Sequence, residues 1–484
     1  MLFKPAAYIC FFFTFFFIGI LYARTNTDAI VATLLPVSLI RGNGFDLKKI
    51  SPISTIILPS KVDDNKLPYY IIEKNNHQFS TFPVFSSILA VPIYFFPTII
   101  KNITLENLEN HKSLIFSLGK ISASIFSAIS ISFVFLSSSA LTRYKKALIL
   151  TVLYALGTST LSISSQTLWQ HATSQMFLAI TMYFFIKGQK QKNKLPFCGL
   201  FLGLATLSRF TNLIIALTFF VYMILFEKRS LIGFLKYSIL PLLFFIWYQL
   251  TYPGELFFYK YEAIGEIAKF NNSFLEGFFG LLIAPNKGLL IYSPFFLFSI
   301  WGTCIAWKEK NKPLIFFSVL SLIYITFIAK WNVWHGSWSY GPRMLADITP
   351  ILTILIAPVV NNTKIYKHIM FKLVFFSAAL VSVFVHFLGA SVADFSWYSI
   401  QTTNLTQDQV YKASIPWNWN FPEIYFFYRK VGGFSGVTYV FTLELINIAL
   451  TIIKGFTFLF IFYIVFNLKK KKLTSLIKYS KPLQ

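Results

Sequence analysis

Acidic residues are scarce in this sequence, and charged residues of either sign are few. The 484 residues include 18 Asp and Glu against 43 Lys and Arg, a net charge of +25, yet only 13% are charged. Soluble domains carry about 25% charged residues, whereas this chain is 56% hydrophobic and contains 57 Phe. This composition excludes a soluble globular protein. It also excludes a nucleic-acid binder, which needs a folded polar surface for its cations, so the lipid bilayer is the predicted partner.

Cysteine and the common catalytic motifs are also missing or rare. Cys10, Cys198 and Cys304 each lie alone inside an apolar run, which excludes a disulfide framework and a structural zinc site. The sequence has no G-x-x-x-x-G-K-[ST], H-E-x-x-H or G-x-S-x-G. Because the Gly-rich phosphate loops of soluble nucleotide enzymes are absent too, a nucleotide-sugar donor is not expected.

Apolar runs of membrane-spanning length recur along the chain and predict an all-α polytopic membrane protein with about 12 transmembrane helices. The first run, Ala6 to Ala23, is expected to stay uncleaved because Leu21-Tyr22-Ala23-Arg24 is a weak cleavage site. A single multi-span domain is predicted over residues 1–468, with a basic cytoplasmic tail at 469–484. The predicted spans lie near residues 6–23, 114–140, 147–164, 172–187, 195–209, 212–227, 231–252, 289–307, 313–331, 345–360, 369–391 and 445–468.

Short Lys- and Arg-rich loops set the predicted orientation, because basic loops resist translocation. All of them fall on one side with both termini, and only Glu227 and Glu309 of the acidic residues accompany them. The opposite, outer side then carries three large loops, at 24–113, 253–288 and 392–444. The basic loops are residues 143–146, 187–194, 228–229, 308–312, 364–367 and 469–472.

The apolar stretch from Phe82 to Ile100 contains three prolines and does not fit the charge pattern as a crossing. We interpret it as a re-entrant or juxtamembrane helix of the first outer loop. The short loops and the Lys- and Phe-rich composition favour a bacterial inner (plasma) membrane, with the outer loops facing the periplasm.

Asp28 is the first candidate for chemistry, because it lies a few residues past the end of the first span. As a structural residue it would cap the apolar helix that follows. As a functional residue it would be a general base held at the bilayer surface. The two interpretations are compatible.

The densest polar cluster lies between two predicted spans, in Lys330 to Pro350. Its tryptophans are typical of an interfacial belt, which does not explain the glycines, Pro342 or the charges. The guanidinium of Arg343 is suited to a lipid phosphate, although Asp347, one helical turn later, offers a structural ion pair instead. His335 and Trp338 are candidate sugar or acceptor contacts.

Three further outer segments supply candidates. Trp169, Gln170 and His171 offer a stacking face and an amide for sugar or acceptor contact, although a histidine at a helix end is often structural. Arg209 either snorkels to the interface or makes a second phosphate contact. Lys287, at the end of the second outer loop, is a possible donor-phosphate residue.

The chain resembles the glycosyltransferase-C superfamily and, within it, is similar to protein mannosyltransferases and aminoarabinose transferases. The resemblance rests on a lone acidic residue after the first helix, a dozen spans, the juxtamembrane stretch Ser80-Thr81-Phe82-Pro83-Val84, and the pattern Trp334-x-x-x-Trp338-x-Tyr340-Gly341-Pro342-Arg343. It implies a polyprenyl-phosphate sugar donor, Asp28 as catalytic base, and Tyr340 and Arg343 at the donor pocket. The sequence departs from the family where Ala29 replaces the second acid of a common acidic pair. No cofactor is predicted, and a divalent metal, although possible, is not supported by the number of ligands.

The leading hypothesis is therefore an inverting glycosyltransferase that acts on the outer face. It would move a sugar to a lipid, glycan or protein hydroxyl, in contact with membrane lipids and without nucleic acid. The alternative is a transporter or lipid-linked glycan flippase, and a diphosphate donor also stays open. Transport predicts ionisable residues in mid-span, for which the candidates are Lys120, His386, Glu444 and Lys454.

Overall fold

The computed structural model describes residues 2–20, 27–48, 70–252, 269–403 and 415–479. Parts of the predicted outer loops, at 21–26, 49–69, 253–268 and 404–414, lie outside these described residues, as does the predicted end of the first span. The predicted all-α class is confirmed. Within the described part, the only sheet is a two-stranded antiparallel hairpin of β1 (Ile71–Lys74) and β2 (His77–Ser80), in which Ile71 pairs with Ser80 and Lys74 with His77.

The helices follow the predicted apolar segments. The first half of the chain contains α1 (Phe3–Gly19), α2 (Thr27–Ile40), α3 (Phe85–Ile100), α4 (Lys112–Leu141), α5 (Tyr144–Leu156), α6 (Gln170–Lys190), α7 (Phe197–Ser208), α8 (Leu213–Phe226) and α9 (Lys228–Thr251). The second half contains α10 (Phe274–Ile283), α11 (Leu289–Tyr292), α12 (Leu297–Lys308), α13 (Lys312–Ala329), α14 (Thr349–Ile354), α15 (Ala357–Asn361), α16 (Thr363–Lys367), α17 (Ile369–Ser391), α18 (Ser396–Thr402), α19 (Glu423–Lys430) and α20 (Gly433–Tyr479).

Six helical stretches among the described residues are long and apolar enough to cross a membrane, and several shorter apolar helices accompany them. Two of the six are central: the apolar windows of Leu108–Leu141 and Arg343–Asn361 are 78% and 94% buried. Lys228–Thr251 and Gly433–Thr457 are peripheral, at 11% and 17%. Because their exposed side chains are apolar, the peripheral helices present a surface suited to lipid.

Small residues explain why α4 occupies the centre of the bundle. Helix α4 packs against α1 and α6, and most of its serines and alanines are buried. Its hydroxyls bond within the membrane-spanning region: Ser122 Oγ donates to the Leu118 carbonyl at 2.8 Å, and Ser130 Oγ to the Gln175 carbonyl of α6 at 3.1 Å. Small side chains let neighbouring helices approach closely, and hydroxyls that donate to carbonyls, as these two do, are satisfied within the protein.

Some of the basic loops that were predicted to share one side contact each other. Asn361 Nδ2 donates to the carbonyl of Leu141 at 2.8 Å, and Lys146 lies 5.0 Å from the ring centroid of Tyr366. Lys192 forms an ion pair with Glu227, one of the two acids predicted on this side. These three contacts join two pairs of predicted cytoplasmic segments, in agreement with the charge pattern.

The first outer loop folds into helices and the hairpin. Helix α3, which corresponds to the predicted re-entrant or juxtamembrane stretch, packs against α2 and contains Pro92 and Pro97. Asp46 connects α2 to the hairpin: its Oδ1 accepts from the backbone N–H groups of Lys48 and Gln78, both at 2.9 Å, and its Oδ2 lies 2.6 Å from His77 Nδ1. Partial burial raises the pKa of Asp46, but the hydrogen bonds from His77 and the two N–H groups outweigh it, so the pKa lies below its ordinary value.

We expect Asp46→Asn to weaken the hairpin, because an amide has one acceptor oxygen where the carboxylate has two. The loss should be about 1–2 kcal/mol, seen as hydrogen exchange of residues 70–80 that is roughly 5 to 30 times faster at neutral pH. Because the folded-state pKa of Asp46 is lowered, the wild-type hairpin should also lose this stability as the pH falls through that pKa.

The matched control is Glu73→Gln. Glu73 lies on the same hairpin and accepts only a 3.3 Å hydrogen bond from the Gln78 side chain among the interactions described. Equal exchange rates in the Asp46 variant and wild type would show that Asp46 does not hold the hairpin.

Candidate active site

Asp28 and Arg343 form an ion pair, although they are 315 residues apart in the chain. Arg343 Nη1 lies 2.7 Å from Asp28 Oδ2, and both side chains are mostly buried, at 14% and 15% exposed. Asp28 lies in the first turn of α2, where the helix N-terminus favours a negative charge. Arg343 begins a 3₁₀ segment, Arg343–Ile348. The predicted base and the predicted phosphate ligand therefore meet at one point.

Trp169 fixes the plane of the Arg343 guanidinium. The indole ring lies 4.4 Å from Arg343 Cζ, within cation–π distance. Gly336, at φ +74°, leaves room beside the guanidinium, since a Cβ there would come within 3.2 Å of Arg343 Nε. That Nε is buried and has no hydrogen-bond acceptor in the described part of the chain. The guanidinium is thus held on two sides and keeps a donor for another acceptor.

Asp347, which the sequence offered as a partner for Arg343, is instead the centre of a separate buried cluster. It accepts hydrogen bonds from Arg209, and from the Tyr324 hydroxyl at 3.0 Å, while His171 Nδ1 lies 3.3 Å from its other oxygen. Arg209 is only 5% exposed, so the snorkelling interpretation is wrong. A buried arginine needs a counter-charge, and Asp347 supplies it.

His171 and Arg209 therefore face Asp347 and do not contact the Asp28–Arg343 pair directly through any interaction described. Trp169 connects the Asp347 cluster to Arg343, because its ring also packs edge to face against that of His171, at 5.2 Å between centroids. This arrangement suits the two residues to positioning Trp169 and Asp347.

Lys287 belongs to a third polar group, whose acidic member, Glu423, the sequence analysis did not single out. Lys287 Nζ lies 3.6 Å from Glu423 Oε2 and also donates to the carbonyl of Ser339. The same Glu423 oxygen accepts from the Tyr292 hydroxyl at 2.6 Å and from the N–H of Gly341 at 3.0 Å. Burial lowers the pKa of Lys287, and the nearby Glu423 carboxylate opposes that shift.

Glu423 begins α19 in the third outer loop, and its backbone N–H donates to Asn286 Oδ1 at 2.7 Å. The one sequence signal for Glu423 was its place among the few acids of an outer loop. Its partners lie more than 80 residues away, so no local pattern could identify them. Glu423 ties the second and third outer loops to the turn that precedes Arg343.

A cavity of about 90 Å³ opens beside this ion-pair region. A π-helical turn at Thr160–Ser164 and the loop that follows it place Ser162 and Gln166 on one wall. Such turns are frequent at functional sites. The aromatic residues on the walls are Trp169, Trp338, Tyr340, Phe395 and Tyr398, and the carboxylates are Asp394 and Glu423.

Two of the predicted residues form the aromatic side of the cavity. The ring of Trp338 lies 4.7 Å from that of Tyr398. The hydroxyl of Tyr340 donates to the carbonyl of Val385 at 2.9 Å, and Gly389 lets the ring approach α17, since a Cβ there would lie 2.2 Å from Tyr340 Cε1. Tyr340 therefore presents its ring to the cavity and its hydroxyl to the helix.

The remaining predicted contacts, His335 and Gln170, lie outside the cavity walls. His335 is buried, and its Nδ1 accepts from the N–H of Ser337 at 3.1 Å within the turn. Gln170 begins α6 and is partly exposed. Among the described residues, no group of three or more His, Cys, Asp or Glu side chains is arranged to hold a metal ion.

Comparison with known families agrees with this architecture. A family model for dolichyl-phosphate-mannose-protein mannosyltransferases matches residues 117–249, just over a quarter of the chain. The match covers Trp169, His171 and Arg209, and it leaves Asp28 and Arg343 outside. No significant match is found among curated proteins or among solved structures. The family match over this part of the chain, together with the apolar helical bundle, supports a membrane glycosyltransferase of the glycosyltransferase-C type.

Proposed function

We propose that this enzyme takes a sugar from a polyprenyl-phosphate donor and transfers it to a hydroxyl of a lipid, glycan or protein acceptor. The reaction would take place on the outer face of a bacterial inner membrane. The observation that carries the proposal is the Asp28–Arg343 ion pair, which lies at the outer end of an apolar span beside an aromatic cavity. A carboxylate and a guanidinium in contact are the two groups that phosphoryl-linked sugar transfer needs.

Arg343 is the proposed ligand of the donor phosphate. Its guanidinium offers planar donors that match phosphate oxygens, and its buried Nε has no acceptor in the described residues. When a phosphate binds, it competes with Asp28 for the guanidinium. The donor therefore releases the carboxylate that the reaction requires, while Trp169 keeps the guanidinium in its plane.

Asp28 is the proposed general base. The acceptor oxygen forms a bond to the anomeric carbon and gives its proton to the Asp28 carboxylate, while the bond from that carbon to the phosphate oxygen breaks. Polyprenyl phosphate leaves with the bonding electrons, and Arg343 stabilises the charge that grows on it. A single displacement inverts the anomeric configuration, so a product with the configuration of the donor would contradict this mechanism.

The cavity is the proposed place of the sugar ring. Trp169, Trp338 and Tyr398 supply apolar faces, and Gln166 and Ser162 supply polar atoms for hydroxyls. Pockets with mostly aromatic walls and a few polar groups are typical of small-ligand sites. Lys287 is neutralised by Glu423, which suits it to holding the Ser339 turn; direct phosphate contact by Lys287 or by Arg209 would require each to leave its carboxylate.

Two of the mid-span residues that transport would use are bonded to close neighbours. Lys120 donates to the carbonyl of Ile20, and His386 lies 2.8 Å from both the Ser162 and the Ser293 hydroxyls. The Asp28–Arg343 pair, which Trp169 connects to the cavity, lies instead at the proposed outer end of the bundle. This placement favours catalysis over transport.

We expect Asp28→Asn to lower kcat by about 10²- to 10⁴-fold, the usual contribution of a general base, while donor binding is retained. The assay is release of polyprenyl phosphate from radiolabelled polyprenyl-monophosphate sugars, with membrane extract as acceptor, and diphosphate donors are tested in parallel. Glu109→Gln, an exposed acid of the same outer loop, is the matched control.

Turnover of Asp28→Asn at the wild-type rate would show that Asp28 is not the base. If only diphosphate donors are turned over, the donor is a polyprenyl diphosphate sugar and not the proposed monophosphate. If wild-type protein releases nothing from any donor and moves lipid-linked sugar between leaflets, it is a transporter.

We also expect Glu423 to act as a positioning residue for Arg343, because it accepts from the N–H of Gly341, two residues earlier. Glu423→Ala leaves Lys287 buried without its counter-charge, which should cost about 3–5 kcal/mol of unfolding free energy and lower kcat/KM. The conservative Glu423→Gln keeps an oxygen for Gly341 and Tyr292 and should retain more activity.

The double variant Glu423→Ala with Lys287→Met distinguishes two roles of Glu423, which are to neutralise Lys287 and to hold the Gly341 backbone in position. It removes both buried charges, so thermal stability should recover, whereas activity should stay low because the Gly341 N–H still lacks its acceptor. Full recovery of kcat/KM in the double variant would show that Glu423 only neutralises Lys287.

A further inference from the structure

An open apolar groove of about 550 Å³ lies beside the predicted basic loop at residues 364–367, and it shares no lining residue with the candidate active-site cavity. It runs between α12 and the α16–α17 corner. Phe298, Trp301 and Phe371 form its floor, with ring centroids 5.5 to 6.4 Å apart. Lys364 and His368 lie on its rim, and the remaining walls are Ile365, Met370 and Val374.

The rim is positively charged and lacks a compensating acid. Neither Lys364 nor His368 forms an ion pair among the described residues, and both are exposed. In the segments 297–311 and 361–374, which form the groove and its surroundings, the sequence has five lysines and a single acid, Glu309. The positive charge at the rim is therefore available to a bound anion, because no carboxylate among the described residues pairs with it.

A second basic group lies on the other side of the same corner. Tyr366, whose ring is 6.0 Å from that of Phe371, carries Lys146 on its other side at 5.0 Å. Partial burial, and then the neighbouring Arg143, lower the pKa of Lys146, as happens where cations gather. The positive region thus extends beyond the rim of the groove.

The dimensions of the groove match a lipid that enters from the membrane surface. From His368 to Val374 a helix rises about 9 Å, and from Lys308 back to Trp301 about 10 Å. The hydrocarbon half of a bilayer is about 15 Å thick. If the cations lie at the level of the headgroups, helix rise therefore places the aromatic rings at the depth of the acyl chains.

We propose that this groove is a binding site for one anionic phospholipid of the leaflet at the basic face. The phosphate lies at Lys364 and His368, and one acyl chain lies against Phe298, Trp301 and Phe371. Basic pockets between membrane helices bind anionic headgroups in this way. The proposal concerns a structural lipid and does not depend on the proposed reaction.

The test is native mass spectrometry of the purified full-length protein from nanodiscs that contain equal amounts of phosphatidylglycerol and phosphatidylcholine. Wild type should retain one phosphatidylglycerol in preference to phosphatidylcholine. Lys364→Gln should lower that retention about fivefold, which corresponds to about 1 kcal/mol per basic residue near an anionic surface. Raising the salt to about 1 M should weaken the retention, since it shortens the screening length to about 3 Å.

Two further variants keep the test sharp. Lys190→Gln removes an exposed lysine from the same basic face outside the groove and should change nothing. Val374→Trp fills the apolar part without altering charge and should also abolish the bound lipid.

Three outcomes would overturn the proposal. Equal retention of the two phospholipids would remove the headgroup selectivity, and equal losses in Lys190→Gln and Lys364→Gln would leave only diffuse surface charge. Displacement of phosphatidylglycerol by added polyprenyl phosphate at lower concentration would assign the groove to that lipid instead. Each readout is binding alone, so it is independent of whether the enzyme turns over any donor.

Discussion

Charge that is removed from water inside a bilayer needs a counter-charge, and this requirement organises the candidate active site. Three buried or nearly buried pairs satisfy it: Asp28 with Arg343, Asp347 with Arg209, and Glu423 with Lys287. Each pair joins segments that are more than 130 residues apart, and the residues of the first pair are 315 residues apart. Apolar helices contact each other much as they contact lipid, so apolar contacts alone do little to fix which segments meet. The three ion pairs therefore act as specific long-range links in the bundle.

The three ion pairs also differ in how accessible they are. The Asp28–Arg343 pair is partly accessible, whereas Asp347 and Lys287 are fully enclosed. Enclosed pairs resist exchange of partners because a lone charge left behind is costly. An accessible pair can exchange its carboxylate for a phosphate at much lower cost. The proposed reactive pair and the two rigid pairs are thus of the same chemical type and differ in burial.

Hydropathy and charge predicted the helical segments, because span length and loop charge are local properties of a membrane sequence. Residue type and position singled out Asp28, Arg343, Trp169 and Trp338, which do lie around one ion pair and one cavity. The partners in the ion pairs were not predictable. Helical spacing suggested that Asp347 pairs with Arg343, but the segment is a 3₁₀ helix, and Asp347 pairs with the buried Arg209 instead. Glu423 was missed because its role depends wholly on tertiary contacts.

The separation of 315 residues between Asp28 and Arg343 also means that the two residues are synthesised at different times. At about 5–20 residues per second, Arg343 is made roughly 15–60 s after Asp28 has been synthesised. During that interval the carboxylate stands at a membrane surface without its cation, and the cavity has no Trp338 or Tyr398. A ribosome-bound chain therefore carries the proposed catalytic carboxylate long before it carries the proposed site, which is incomplete until the central span Arg343–Asn361 enters the bundle.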